Sequence, residues 1–500
     1  MSIFAKKKKF YLTTAIPYVN SSPHVGHALE FVQTDVIARY HQLLDNDVFL
    51  TTGADENSLK NVQAAEELGI TTQKLCDKNA AIFKELATKI GLSFDSFLRS
   101  SIKKDHWSGV HKLWELCKKS GDIYKKKYTG LYCVGCEAFY TKSELVNGLC
   151  PEHKKKPEVV QEENYFFRLS KYQKKIEELI ETDELRIIPK TRKNEVLSFV
   201  KRGLEDFSVS RSVERAKGWG VPVPGDESQI IYVWFDALGI YLTGIGYGTD
   251  EKLFRKWWPA DLHVIGKGII RFHAIYWPAI LLSAGLELPK SVLVHGYITF
   301  EGQKISKSLG NVIDPLKLME KYSADALRYF LLKEIPVADD GDFSEKALIN
   351  RINGELVADL GNLVYRVLSL AEKFKGKIEG KSELEDKLNL DKINELMEEY
   401  KLNEALEEIW KFVRVTNKYV NENEPWKLKG KELATVLYNL LEACRVIAIL
   451  ISPFLPNAAQ EINKRVGTKA GKWEDCTFSK FNGKIKKGGY LFNKIETVAS

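Results

Sequence analysis

Hydrophobic and polar positions change rhythm along the chain, and each rhythm predicts an element. Residues 10–15 form a short apolar run that reads as a buried strand. Leu29, Val32, Val36, Tyr40 and Leu43 then recur at three- and four-residue spacing, which predicts a helix. Similar short runs at 48–53, 262–266 and 292–296 end in glycine or polar residues and are separated by helical patterns. Strand, loop and helix in alternation predict an α/β fold with a doubly wound parallel sheet of Rossmann type, its halves at 1–123 and 224–296. Residues 124–223, with clustered cysteines, Lys-rich turns and amphipathic pieces, read as an inserted subdomain and not as sheet. Residues 297–345 follow as a region around a basic loop. From 346 to 465 the pattern turns helical, with Leu356, Leu360, Leu363, Val367 and Leu370 as one stripe and Leu402, Ala405, Leu406, Ile409 and Val413 as another. That predicts an α-helical bundle. The last stretch, 466–500, is basic and carries a small apolar knot at Tyr490-Leu491-Phe492, so it is either a loose tail or packs back on an earlier domain.

Composition narrows the class. At 500 residues the chain exceeds one hydrophobic core, and 44% hydrophobic with 28% charged residues describes a packed protein, not a disordered one. The net charge of +7 permits a polyanionic partner without demanding one. The Lys run at the start is followed by a segment too short and too polar for an export signal. The most apolar stretch, 262–288, is interrupted by Lys267, Arg271, His273 and Pro278 and fails as a membrane span. The expectation is a cytoplasmic protein with no membrane partner. Seven cysteines, three of them between 133 and 150, suit metal ligation in a reducing compartment better than disulfides.

Two segments carry candidate chemistry. Pro23-His24-Val25-Gly26-His27 falls between the first strand and its helix, where an open α/β sheet presents a ligand to helix N-terminal amides. His24 and His27 can donate hydrogen bonds to phosphoryl oxygens, and Gly26 lets a flat ring approach the backbone. Far along the chain, Lys304-Ile305-Ser306-Lys307-Ser308 lies between Gly302 and Gly310, a basic loop able to close over a triphosphate. Either alone has a bland reading, as surface histidines or a solvated turn.

Together the two segments resemble the HIGH and KMSKS motifs of the class I aminoacyl-tRNA synthetases. Flanking residues point to the methionyl branch of that family: Ala15-Ile16-Pro17-Tyr18-Val19-Asn20, Thr52-Gly53-Ala54-Asp55-Glu56, Tyr232-Val233-Trp234-Phe235-Asp236-Ala237, and Ile265-Gly266-Lys267 with Arg271-Phe272-His273. The resemblance covers nearly the whole chain. It implies a methionine–tRNA ligase that forms methionyl-adenylate from L-methionine and ATP and passes it to methionine tRNA, initiator and elongator. It further implies His24, His27, Lys304 and Lys307 as catalytic residues, with Gly26 and Ser306 beside them at ATP and Mg²⁺. It assigns the methionine pocket to Ala15, Ile16, Tyr18, Trp234, Ala237, Leu238, Tyr241, Ile269 and His273, with Asp55 on the substrate ammonium. Aromatic faces suit a soft thioether, and a buried cation needs a charged partner. Residues 297–345 become the KMSKS and stem-contact region. Two departures stand out: Asn57-Ser58 where the family has His-Gly, and Gly268 where it has an acidic residue near the ribose or the pocket backbone.

Cys133-x2-Cys136 and Cys150-x2-His153 offer four donors in two pairs, which can close a tetrahedral, structural zinc with no open position. One form of the family carries such a knuckle, one zinc per chain. In the helical region Asn362 and Arg366 fall four apart on a polar stripe. A bundle Trp such as Trp426 packs inside in the general case, whereas the family places anticodon readers at Asn362, Arg366 and Trp426. A monomer is the default expectation. Competing readings are another class I synthetase, a catalytically reduced tRNA-binding paralogue, and a small nucleotidylyltransferase, which would have no use for the knuckle or the bundle.

Overall fold

The computed structural model describes residues 7–135, 138–140, 142–152, 154–300, 302–304, 312–479 and 481–496. Its central sheet has six parallel strands in the spatial order Ser96–Arg99, Asp47–Ala54, Lys9–Thr14, Leu262–Gly266, Ser291–His295 and Arg186–Ile188. The middle strand is buried from Phe10 to Thr14, as expected when helices cover both faces of a parallel sheet. From Lys9–Thr14 the chain moves to Asp47–Ala54 on one side and later lays Leu262–Gly266 on the other. The order of strands reverses there, opening a crevice at their C-terminal ends. The helix Val25–Leu43 starts at that crevice.

The expectation that 124–223 stands outside the sheet is corrected. Its short strand Arg186–Ile188 pairs with Ser291–Leu293 and forms one edge of the main sheet. Three residues are too few to show a period, and only the neighbouring strand makes this segment β. Ser96–Arg99 escapes a sequence reading for the same reason. The insertion also carries an antiparallel sheet of Ile123–Cys133, Ala138–Tyr140, Glu158–Phe167 and Phe207–Ser208, and two helices, Gln173–Glu181 and Lys190–Lys201.

Beyond 345 the helices Glu345–Arg351, Ile352–Gly361 and Asn362–Ala371 run on without a break, the middle one with wider π turns. Leu356, Leu360, Leu363 and Val367 are fully buried, as are all five residues of the second expected stripe. Among the described residues the apolar helix long enough to cross a membrane lies not in 262–288 but at Gly430–Ile451, and 94% of its apolar window is buried inside the protein.

One guanidinium locks the bundle to the sheet domain. Arg328 is fully buried, pairs with Asp35 of the first helix at 2.7 Å, and donates to the carbonyls of Ile90, Pro453 and Phe454. All these acceptors are needed, because a buried charge is tolerated only when paired and hydrogen-bonded. The segment after Val466 packs on the core through Phe478, Phe481, Leu491, Phe492 and Ile495. Asn353 clasps it, donating to the Ile495 carbonyl at 2.9 Å and accepting its N–H at 2.8 Å.

Candidate active site

The first helix is capped by the two histidines themselves. His24, at the N-cap, accepts the Gly26 N–H on Nδ1 at 3.1 Å, and His27 accepts the His24 N–H on its own Nδ1 at 3.1 Å. A ring nitrogen that accepts a backbone N–H holds no proton, so Nε2 carries it in both rings. Burial lowers the His24 pKa to about 4, and burial with repulsion between the two rings takes His27 well below its ordinary value. Both are neutral N–H donors at a helix N-terminus, whose orphan amides and dipole favour an anion. The flat ring lying over Gly26 is that of His24: a methyl group on Gly26 would meet its Cε1 at 2.9 Å.

The basic loop springs from a hairpin in which Ile298–Phe300 pairs with Gln303–Lys304. Ser306 and Lys307 lie outside the described residues. The chain beyond the loop returns to the histidines, since the Val25 N–H donates to the Ile313 carbonyl at 3.0 Å. A third imidazole at the crevice, His295, was missed from sequence, although it ends a buried strand beside a glycine. It bonds Glu30 at 2.9 Å and adds to the electrostatic lowering of His27.

On the other side of the crevice the aromatic residues gather. Tyr18 and Asp55 form a parallel bridge that extends the sheet register, and Asp55 is buried. Tyr18 meets Trp234 edge to face at 6.3 Å, and Trp234 lies flat on Phe272 at 3.7 Å. Phe272 was not among the expected pocket residues, though it stands in the same short run as His273. Tyr241 hydrogen-bonds His273 Nε2 at 2.7 Å, and His273 Nδ1 hydrogen-bonds the Ile269 carbonyl at 2.9 Å. The carbonyl can only accept, so Nδ1 holds the proton and Tyr241 is the donor. Burial lowers His273 to about 4. Ala237 and Leu238 are buried on the short helix that carries Trp234, and Ala15 and Ile16 line the chain leaving the first strand half-buried.

Both departures have structural partners. Asn57 donates to Asp236 at 2.7 Å, and Asp236 also bonds His106 at 2.6 Å, a buried network behind the pocket. Ser58 caps the helix Leu59–Glu67 by accepting the Lys60 N–H at 3.0 Å. The space beside Gly268 is filled by Tyr297.

In the insertion, Cys133 ends a strand and Cys150 sits in a tight turn, its N–H donating to Lys155 and its carbonyl accepting from Lys154. Both are buried, as thiolate ligands of a closed site would be. Cys136 and His153 lie outside the described residues, and among the described residues no group of three or more donors could hold a metal. On the bundle, Trp426 is 54% exposed rather than packed inside, with the Arg366 guanidinium 5.9 Å from its ring centre. Arg366 is oriented by Asn421 at 2.8 Å, and Asn362 is exposed one turn earlier.

Residues 10–156 and 143–368 match the family described as tRNA synthetases class I (M), and 389–487 match the anticodon-binding domain of tRNA ligase. The chain is 44% identical over 511 residues to a methionine–tRNA ligase of Thermotoga maritima, spanning 98% of this chain and 80% of that protein. It is 42% identical over 485 residues to one of Brucella suis, spanning 93% of each. The Mycobacterium tuberculosis methionyl-tRNA synthetase solved with methionyl-adenylate superposes with a TM-score of 0.91 at 39% identity, covering 97% of this chain and 99% of that one. With family signature, near full-length similarity and tertiary fold in agreement, the chain belongs to the methionine–tRNA ligases of the class I aminoacyl-tRNA synthetases.

Proposed function

We propose that methionine activation in this enzyme takes place in the crevice between the first strand and Leu262–Gly266, with the residues divided as follows. The methionine carboxylate attacks the α-phosphate of ATP and pyrophosphate leaves. The carboxylate is already a nucleophile, so alignment and charge stabilisation do the work, not proton transfer. His24 and His27 offer Nε2–H donors to the phosphates beside Gly26. Lys304, Ser306 and Lys307 supply ammonium and hydroxyl groups to the triphosphate, and Mg²⁺ would neutralise part of its charge. The observation behind this reading is the Val25–Ile313 hydrogen bond, which ties the far end of the basic loop to the histidine cap.

The methionine side chain lies among Ala15, Ile16, Tyr18, Trp234, Ala237, Leu238, Tyr241, Ile269 and His273, with Asp55 on the ammonium. Because Tyr241 gives its proton to His273, its hydroxyl has no proton left seeking a polar partner, and its ring remains for an apolar thioether. The terminal tRNA ribose, by class resemblance through its 2′-hydroxyl, then takes the aminoacyl group. One zinc held by Cys133, Cys136, Cys150 and His153 would stabilise the insertion. Asn362, Arg366 and Trp426 read the anticodon of initiator and elongator methionine tRNA, with an unpaired base stacked on the exposed indole. The enzyme works in the cytoplasm as a monomer.

Methionine-dependent ATP–pyrophosphate exchange by Lys307→Ala tests the crevice assignment. Its first-step rate is expected to fall far more than its methionine affinity. Unchanged turnover contradicts the role.

A further inference from the structure

Trp234, Ala237, Leu238 and Tyr241 stand on two short helices, Val233–Leu238 and Ile240–Thr243. Helices of six and four residues do not hold themselves in water, so contacts from elsewhere in the fold must place them. A buried chain of hydrogen bonds does so. Asp236, two residues after Trp234, accepts an Asn57 Nδ2 hydrogen on one oxygen at 2.7 Å and bonds His106 Nε2 through the other at 2.6 Å. His106 Nδ1 bonds the Thr243 hydroxyl at 2.8 Å, so this one ring grips both short helices. Asn57 gives its second amide hydrogen to the Ser100 carbonyl at 3.0 Å. All five of these residues are buried.

Asn57 also reaches the other end of the pocket, because its backbone N–H donates to Asp55 Oδ1 at 3.3 Å. One residue thus touches the carboxylate assigned to the substrate ammonium with its main chain, and the helix of Trp234 with its side chain. Both amide hydrogens are spent inside the protein, where a satisfied network is stiff and a missing donor would leave the buried Asp236 carboxylate short of a partner. We infer that Asn57 is a positioning residue that fixes the span between Asp55 and Trp234, and so sets the length of side chain that the pocket accepts. The inference rests on placing methionine between these two groups. An ammonium anchored at Asp55 leaves the thioether tail to end against the aromatic wall, and a wall no longer held there admits a longer tail. Asn57 acts through its two neighbours and needs no contact with the substrate.

Pyrophosphate exchange with methionine and with ethionine, one methylene longer, tests this on wild type, Asn57→Ala and Asn57→His. The readout is the ratio of the two kcat/KM values, which a loss of folded enzyme leaves unmoved. Wild type should favour methionine by roughly ten- to two-hundredfold, the usual worth of one methylene in an apolar pocket. Asn57→Ala should lower that ratio by roughly three- to tenfold, as expected when one hydrogen bond of the tie is lost, with the KM for ATP unchanged. Asn57→His, whose ring can still give Asp236 one N–H, should keep most of the wild-type ratio. Equal losses for methionine and ethionine in Asn57→Ala, a KM for ATP that rises with that for methionine, or an Asn57→His no more selective than Asn57→Ala would overturn the inference. Asp55→Asn separates the two levels. If it leaves the KM for methionine unchanged, the pocket reading fails and the inference falls with it; if it raises that KM while Asn57→Ala keeps the wild-type ratio, only the Asn57 role fails.

Discussion

His27 accepts the backbone N–H of His24 on Nδ1 at 3.1 Å, so two imidazoles lie 4.0 Å apart with their protons on Nε2. Capping the helix and selecting the tautomer are one act. The substitution His24→Asn separates it from phosphate binding, because an Asn side chain still caps a helix. Thermal stability should stay near wild type while the rate of adenylate formation falls roughly a hundredfold or more, the usual effect of removing one donor from a developing anion. Calorimetry beside single-turnover kinetics checks both.

Histidines held neutral make stability depend on pH. Burial lowers His24, His41 and His273 to about 4, and lowers His27 and His263 well below their ordinary value. Between the folded and unfolded pKa values the unfolded chain binds the extra protons, so stability is fully present above about 6.5 and is lost as pH falls toward 4. For the buried His273 alone the loss is on the order of 3 kcal/mol across that window. The thermal midpoint should therefore drop steadily from pH 7 to pH 5, and less steeply in His273→Gln.

Trp426→Ala should lower aminoacylation by roughly ten- to a hundredfold, as expected for losing a base-stacking platform, and leave methionine-dependent exchange intact. The ring is 54% exposed, so little packing is lost with it. Equal loss in the two assays would reject its role at the anticodon.

Protein purified without chelator should hold about one equivalent of zinc by elemental analysis. Cys150→Ala should lose the metal and loosen the insertion to proteolysis, leaving the helical bundle as protected as in wild type.

Arg328→Leu should destabilise the fold by roughly 3–5 kcal/mol, because Asp35 would be left charged and buried with one partner fewer. Chemical denaturation monitored by tryptophan fluorescence measures the change.

Local pattern alone determined much of this protein. Four sheet strands, the first helix and both bundle stripes were legible because each buries an apolar face long enough to show its period. The histidine and lysine motifs were legible because phosphate chemistry demands particular side chains at fixed spacing. Other features depend on neighbours remote in the chain, and only the tertiary structure decided them. Arg186–Ile188 is a strand because Ser291–Leu293 lies beside it. Phe272 faces Trp234, and Tyr297 fills the space at Gly268, because the fold brings them there. A sequence records periodicity and side-chain chemistry, but pair distances between remote residues arise only when the core closes and one arrangement excludes the rest.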